Sequence, residues 1–349
     1  MKQAAACLSV CLALILAQPA AAQPIDGFYK GKQLHMIVGY PAGSGYDFYS
    51  RLLAGHLTRR IPGQPAIVVQ NMVGAASLKA ANYLYNAAPR DGTYLGAINR
   101  SIPLAPILQT IEKENIQFDP LKFTWIGSIE GAVAIGFVWA ATGIQSFEDT
   151  FKREVVVSAT SPSSDSYMLT NMLNNLLGTK FKIISGYPGS NDNFLAVERG
   201  EVQGYFGSTF STMQTTRPEW LTQKKVNILI QIALTKDPAL PDVPLVTEYA
   251  KSKTAQNALK VILAPLAASR PYLAPPNLPQ ERAAALQTAF DETMRDPAFV
   301  ADAKKSKIDV SPMTGEQIKA MLMQIYNEPE ETLAAARAAL KLPAGVAEK

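Results

Sequence analysis

The segments Leu34-His-Met-Ile-Val-Gly-Tyr40 and Pro41-Ala-Gly-Ser-Gly-Tyr-Asp47 follow one another directly, and together they decide the fold. The first is an apolar run with the length of a buried strand, and the second is a glycine-rich loop. Beyond the loop, apolar residues recur at helical spacing, at Tyr49, Leu52, Leu53 and Leu57. The next apolar run, Ala66–Gln70, starts about 30 residues after the first, which is the spacing of a βαβ unit.

The same order of elements continues along the chain. Further strands are predicted at Tyr94–Ile98, Val155–Ser158, Phe181–Ile184, Val202–Phe206 and Val226–Leu234. Helical segments stand between most of these runs, so we predict α/β lobes, each a mainly parallel sheet flanked by helices. The predicted boundaries are residues 23–125 for the first part of lobe 1, 126–237 for lobe 2, and 238–349 for the second part of lobe 1.

The last hundred or so residues have a different character. Four prolines, Pro271, Pro275, Pro276 and Pro279, predict an extended connector because proline fixes φ and restricts the preceding residue. Helices follow, one of them over Gln280–Arg295, and we expect this helical C-terminal segment to pack on lobe 1. One later helix begins at Thr314, whose side chain can form a capping box with Gln317.

The N-terminus has the pattern of a secretory signal peptide over residues 1–22. Lys2 precedes a short apolar stretch that ends in Ala20-Ala21-Ala22, and cleavage is expected before Gln23. The apolar stretch is shorter than the roughly 20 residues that a membrane anchor needs. Both cysteines, Cys7 and Cys11, lie inside this segment, so we expect a periplasmic mature chain without disulfides or cysteine-bound metal.

Composition excludes several classes of protein. The 349 residues are 48% hydrophobic and 18% charged, which is typical of globular domains and argues against disorder. The net charge is only +4, from 33 Lys and Arg against 29 Asp and Glu, and the basic residues are scattered. Nucleic acid is therefore not the expected partner.

The predicted strands end in loops rich in Gly, Ser, Asn and Asp. In open α/β sheets, ligands bind beyond the carboxyl ends of the strands. These loops contain no Lys or Arg, but main-chain amides at helix N-termini bind anions without a formal cation. The candidate ligand-binding residues are Gly43, Ser44, Gly45, Tyr46, Asp47, Ser77, Thr160, Ser163, Ser164, Tyr187 and Ser190.

Some of these residues have plainer explanations. Asp47 can simply cap the first helix, because Asp is an ordinary cap residue. Arg100, which follows the third strand, is a further candidate because a guanidinium can bind a carboxylate through two hydrogen bonds; a solvated surface arginine is the alternative. Tyr46, Tyr187 and Tyr205 each either line a cleft or belong to the core.

Catalytic motifs are not found. Ser44 has no G-x-S-x-G surroundings, and the first loop has neither the third glycine of a dinucleotide fingerprint nor a following Lys-Ser/Thr. The sequence has only two histidines, His35 and His56, and no metal-ligand cluster. We therefore predict no catalytic residue, no metal and no cofactor.

An ordered set of motifs along the mature chain resembles the solute receptors of tripartite tricarboxylate transporters, also called the Bug family. The motifs are Tyr40-Pro-Ala-Gly-Ser-Gly-Tyr-Asp47, Ile61-Pro-Gly63, Val68-Val-Gln-Asn71, Gly74-Ala-Ala-Ser77, Ala88-Pro-Arg-Asp-Gly92, Gly186-Tyr-Pro-Gly-Ser-Asn191 and Leu240-Pro-Asp-Val-Pro244. The resemblance implies a two-lobed periplasmic-binding-protein type II fold, closure about two hinge crossings, and a carboxylate held by loops from both lobes. It also implies delivery to a membrane permease.

The sequence departs from the family pattern at two positions: Ser44 and Ala76 stand where glycine is usual. The leading hypothesis is a monomeric, non-enzymatic receptor that closes around a small organic acid. An exported enzyme such as a hydrolase, and a ligand-sensing subunit of a signalling system, are the alternatives.

Overall fold

The computed structural model describes residues 25–110, 113–162, 164–308, 310–343 and 346. The expected signal peptide lies outside them. The strands are β1 Gln33–Val38, β2 Ala66–Asn71, β3 Tyr94–Ala97, β4 Thr124–Ser128, β5 Ala134–Trp139, β6 Val155–Ala159, β7 Phe181–Ser185, β8 Gly204–Thr209, β9 Val226–Ile232, β10 Pro271–Ala274 and β11 Met313–Thr314.

Helices lie between and after these strands. They are α1 Ile25–Tyr29, α2 Gly45–Leu57, α3 Leu78–Asn86, α4 Ala105–Leu108, α5 Asp149–Lys152, α6 Asp165–Met172, α7 Ser190–Glu198, α8 Phe210–Thr216, α9 Pro218–Thr222, α10 Lys253–Leu263, α11 Gln280–Arg295, α12 Pro297–Lys305, α13 Gly315–Tyr326 and α14 Glu330–Leu340. A π-helical turn, Leu173–Leu177, extends α6.

The first sheet has the strand order β11-β4-β10-β3-β1-β2. β1 pairs in parallel with β2 and β3, as the βαβ spacing predicted. β10 runs antiparallel between β3 and β4, so the first part of the predicted extended connector, Pro271–Ala274, is a strand of this sheet. A proline is tolerated there because Pro271 is the first residue of the strand.

The second sheet has the order β7-β6-β8-β5-β9. β6 pairs in parallel with β7 and β8, whereas β5 is antiparallel to both β8 and β9. Each sheet is therefore mixed, with a parallel half built from the βαβ units and an antiparallel half built from strands that return to it. Two α/β lobes are present, as predicted.

The chain passes from the first sheet to the second between Ser128 and Ala134. The predicted boundary between residues 125 and 126 thus falls inside β4, and the domain limits stay a prediction. Aromatic residues fill the second lobe beside its sheet, where Phe137, Phe194 and Trp220 are fully buried. Burial of each such side chain stabilises the fold by about 1.5–3 kcal/mol.

The C-terminal helices pack mainly on the first lobe. α11 and α13 contact β4, and the capping box of Thr314 and Gln317 forms at the start of α13, as predicted. α14 lies on α10 and also reaches α6 of the second lobe. Its end is held there by the Asn171 side-chain amide, which donates to the Lys341 carbonyl at 2.9 Å.

Candidate functional site

The loop between β1 and α2 is shaped by the Asp47 carboxylate. Ser44 is the N-cap of α2, and its hydroxyl accepts a hydrogen bond from the Asp47 amide at 3.3 Å. The Gly43 amide and the Arg51 Nε each donate to Asp47 Oδ2 at 2.9 Å, and the Asn71 amide donates to Oδ1 at 2.8 Å. The Arg51 contact is the main reason that the pKa of Asp47 falls to about 2, so Asp47 stays ionised and organises the loop.

The loop before α3 has an unusual backbone. Ala75, Ala76 and Ser77 have φ values of 42°, 49° and 81°, which only glycine adopts without strain. Ser77 is fully buried, and its hydroxyl donates to the Gly39 carbonyl at 3.3 Å. A Cβ on Gly39 would overlap the Ser77 side-chain oxygen, so Gly39 is required for this contact. Ser77 therefore links the first two loops.

Arg100 connects the two lobes. The Arg100 side chain is 6% exposed, and its guanidinium forms an ion pair with Asp165 at the start of α6 in the second lobe. The Ser101 hydroxyl donates to the other Asp165 oxygen at 3.1 Å, and Arg100 also donates to the Ser269 hydroxyl at 3.1 Å. The alternative that the sequence left open, a solvated surface arginine, is wrong, because Arg100 is buried and paired with a residue of the second lobe.

Tyr46 and Ser269 extend this cluster within the first lobe. The Tyr46 hydroxyl accepts from the Arg100 amide and donates to the Ser269 carbonyl, both at 3.2 Å. Arg270 donates to the Ser269 hydroxyl at 3.0 Å and lies 3.8 Å from the Glu130 carboxylate. A second buried cation thus lies beside Arg100, and it has its own carboxylate.

One further tyrosine, Tyr40, lies near the Arg100–Asp165 pair. Tyr40 stacks on Tyr46 with a ring separation of 4.4 Å, and its hydroxyl accepts a hydrogen bond from Asn99 at 2.5 Å. Burial raises the pKa of Tyr40, and the Asp165 and Arg100 charges also act on this hydroxyl. Tyr40 therefore stays protonated and keeps a donor at the interface between the lobes.

On the second lobe, hydroxyl groups cluster around the start of α6. Ser164 is the N-cap of α6 and lies 2.9 Å from Ser166, whose hydroxyl accepts from the Thr160 amide at 3.2 Å. The buried Tyr205 hydroxyl bonds to Ser166 and Ser190, and burial raises its pKa. Tyr205 thus belongs to the core of the second lobe and also reaches this cluster.

A cavity of about 500 Å³ adjoins the Arg100–Asp165 pair. Residues from both lobes line it, including Ala76, Lys79, Asn82, Asn99, Ser101 and Met168. A smaller cavity of about 20 Å³ shares Ser101 and Met168 with it and is lined by Asp165. The larger volume lies within the range of small-molecule sites, so the ion pair stands at the edge of a space that can hold a metabolite.

The structure brings together only part of the predicted set. Arg100 and Tyr46 lie in the interlobe cluster, with Gly45 close to Arg270, and Thr160, Ser164 and Ser190 surround the start of α6. Tyr187 instead donates to Glu201 at 3.5 Å, and Ser77 is engaged with Gly39. Ser163 lies outside the described residues. Of the predicted residues that the structure describes, none lines the 500 Å³ cavity.

Sequence reasoning missed the partners of Arg100. Asp165 follows the N-cap Ser164, and an acidic residue in the first turn of a helix is common because it interacts favourably with the helix dipole. Its sequence context therefore gives no sign of a partner in the other lobe. Ser269 and Arg270 precede the proline-rich segment and carry no motif. Their roles depend on pairing between distant segments, which a single sequence does not encode as a local signal.

Chemistry other than binding has little support among the described residues. They contain no group of three or more His, Cys, Asp or Glu residues that could hold a metal ion. His35 stacks on Tyr94 at 4.7 Å, and His56 lies 3.2 Å from Asp302 on α12. The same part of the chain has no helix both long and apolar enough to span a bilayer.

Comparison with known proteins gives a consistent result. The family model described as the tripartite tricarboxylate transporter family receptor matches residues 50–334. A protein of the UPF0065 group from Bordetella bronchiseptica is 24% identical over 298 residues, which are 83% of this chain and 83% of that protein.

Several solved structures have a similar fold. The periplasmic binding protein BugD aligns with a TM-score of 0.65 and 18% identity, over 90% of this chain and 99% of its own. Rpa4515 of R. palustris with adipate has a TM-score of 0.63 and 16% identity, over 88% and 97% of the two chains. MatC from Rhodopseudomonas palustris with bound malate has a TM-score of 0.62 and 17% identity, over 88% and 99%.

Proposed function

The chain belongs to the tripartite tricarboxylate transporter receptor family, and from this membership we propose that it captures a small organic acid between its lobes and delivers it to a membrane permease. Members of the family are periplasmic solute-binding proteins and not enzymes, which removes the exported hydrolase from consideration. Export of this chain through residues 1–22, and its action as a monomer, are parts of the proposal.

The observation that carries the proposal is the polar cluster between the lobes. Arg100 is a buried cation at the end of β3, and donors from the second lobe surround the start of α6. Each hydrogen bond to a charged group contributes roughly 1.5–3 kcal/mol, so a few such contacts account for micromolar binding after ordering costs. The adipate and the malate that accompany two of the similar structures agree with a carboxylate solute.

The proposed mechanism is closure of the two lobes. In the closed state, the solute would contact Arg100 and the loop Gly43–Asp47 on one side and the loop before α6 on the other. Because the open state lacks some of these contacts, the solute binds the closed state more tightly. The main-chain amide of Gly45 is the proposed donor of the first lobe, because the Gly43 amide already donates to Asp47 and the Ser44 amide to the Pro41 carbonyl. Thr160, Ser163 and Ser190 are the proposed donors of the second lobe. Ser164 shapes the loop before α6, since its hydroxyl donates to the Ser161 carbonyl at 2.6 Å, and Ser77 and Asp47 hold the first-lobe loops in place.

Screening the purified protein against a panel of organic acids tests this function. A solute present at about 100 times its Kd should add roughly 2.7 kcal/mol to the free energy of unfolding, which raises Tm. The Arg100→Gln variant should lose this shift. A panel of mono-, di- and tricarboxylates in which no acid raises Tm, and none binds by calorimetry, would contradict the proposal.

Delivery needs a separate measurement. Uptake of the identified acid by cells that contain the cognate permease should depend on this protein. Binding without any effect on uptake would favour a ligand-sensing subunit instead.

A further inference from the structure

The Arg100–Asp165 pair has a consequence for the chemical class of the solute. We propose that the solute is a zwitterion such as an α-amino acid, whose carboxylate replaces Asp165 on Arg100 and whose ammonium group binds Asp165. This inference rests on the proposed function, because it takes capture between the lobes as given and specifies the charges that the captured molecule carries.

The first step concerns the cost of separating the pair. Both side chains are largely removed from water, with Arg100 6% exposed and Asp165 23% exposed. A buried charge that loses its partner is strongly unfavourable. A solute that enters between the lobes therefore has to supply a partner to each member of the pair.

The second step concerns solutes that carry only carboxylates. Such an acid replaces Asp165 on Arg100, but when the lobes close, Asp165 then faces a second negative charge. The Ser101 hydroxyl at 3.1 Å is the neutral donor that stays with Asp165 in that arrangement. Specificity against such acids then arises from repulsion, whereas a zwitterion presents an ammonium group at the same place.

The third step concerns the neighbouring charges. Arg270 shares Ser269 with Arg100, but it already faces the Glu130 carboxylate at 3.8 Å. Arg270 therefore already has an acidic partner of its own. Arg100 and Asp165 are therefore the charges that the solute has to match. A solute with one negative group for Arg100 and one positive group for Asp165 matches them.

The fourth step concerns space. Asp165 lines the small cavity that shares Ser101 and Met168 with the cavity of about 500 Å³. An amino acid whose charged end lies at Ser101 has room for its side chain in the larger cavity. Lys79 lines the same cavity and would meet an acidic group on that side chain.

Calorimetry with matched probes on the purified protein tests this inference. Each series keeps one carbon skeleton and changes the group next to the carboxylate from ammonium to hydroxyl to hydrogen. The series are glutamate, 2-hydroxyglutarate and glutarate; phenylalanine, 3-phenyllactate and 3-phenylpropanoate; and alanine, lactate and propanoate. In the series that binds most tightly, we expect the amino acid to bind at least about 100-fold more tightly than the hydrogen analogue.

Variants then assign this preference to Asp165. Asp165→Asn keeps the shape and removes the charge, so the amino acid should weaken by about tenfold or more while the hydrogen analogue binds equally or more tightly. Arg100→Gln should weaken all three members, because all carry the carboxylate. Asp242→Asn, an exposed control, should change none of them.

The outcomes separate the two proposals. Hydroxyl or hydrogen analogues that bind as tightly as the amino acid, or a preference that persists in Asp165→Asn, would overturn the zwitterion and leave organic-acid capture standing. Binding of acids from the panel without any amino acid would do the same. If neither the amino acids nor the organic acids bind, both proposals fail.

Discussion

The backbone of Gly207 in the second-lobe strand β8 lies so close to Ser166 that a Cβ on Gly207 would be 2.8 Å from the Ser166 Cα. Gly207 also has a φ of 86°, in the left-handed region. The same Cβ would be 3.1 Å from the Asp165 carbonyl oxygen. The start of α6, which presents Asp165 to the first lobe, therefore depends on a glycine in the neighbouring strand.

Gly207→Ala should lower the free energy of unfolding by roughly 2–4 kcal/mol, since left-handed strain and a close contact with α6 both act. Gly186→Ala is the matched control, because Gly186 has a φ of 117° but no atom within 4 Å of its added Cβ. That control should cost only about 1–2 kcal/mol. Equal urea midpoints for the two variants would show that the contact with Ser166 has no energetic weight.

Ser44→Ala should lower the free energy of unfolding by about 1 kcal/mol, because the hydroxyl caps α2. It should also weaken solute binding, since the loop amides lose their fixed positions. Urea unfolding and calorimetry measure the two effects. The exposed Ser185 provides the control substitution, Ser185→Ala, which should affect neither. A variant with unchanged stability would argue against the capping role.

Asp47→Asn should change how stability depends on pH. The pKa of Asp47 is lowered from 3.8 to about 2 in the folded protein, so its contribution is complete above about pH 4 and is lost as the pH falls towards 2. This contribution is roughly 1–2 kcal/mol after allowance for screening. Unfolding free energies between pH 6 and 2.5 should fall less steeply in the variant than in the wild type, and Asp242→Asn should keep the wild-type slope.

Tyr46→Phe should destabilise the folded state and weaken solute binding. The Arg100 amide and the Ser269 carbonyl both lose a partner, and each unsatisfied buried group costs about 1–3 kcal/mol. Tyr187→Phe is the control, because its hydroxyl bonds to Glu201 on the second lobe. If Tyr187→Phe weakens binding more than Tyr46→Phe does, the described cluster is not the binding site.

The sequence predicts the parallel half of each sheet well, because these strands come from consecutive βαβ units with short loops. It does not predict β10, since its partners β3 and β4 are far away along the chain and its prolines suggest a connector. The capping box at Thr314 was predicted because its signal is local. The glycine- and serine-rich loops after the strands also carry a local signal, but their role in binding a solute stays a prediction.

The charged pair between the lobes was not predicted. Arg100 was recognised as a candidate from its place after β3, but Asp165 has the sequence context of an ordinary first-turn acid. Their contact depends on how two separate lobes meet. Such a relationship has no periodicity or spacing in the sequence, and only the three-dimensional arrangement reveals it.

The C-terminal helix α14 adds a mechanical constraint to any opening of the cleft. Arg337 donates to the Ile107 carbonyl of the first lobe at 3.0 Å, while Asn171 of the second lobe holds the Lys341 carbonyl at 2.9 Å. In the proposed closure mechanism, separation of the lobes would break at least one of these two hydrogen bonds. Substitutions in this helix would then alter how fast a trapped solute escapes, although they touch no atom of the solute.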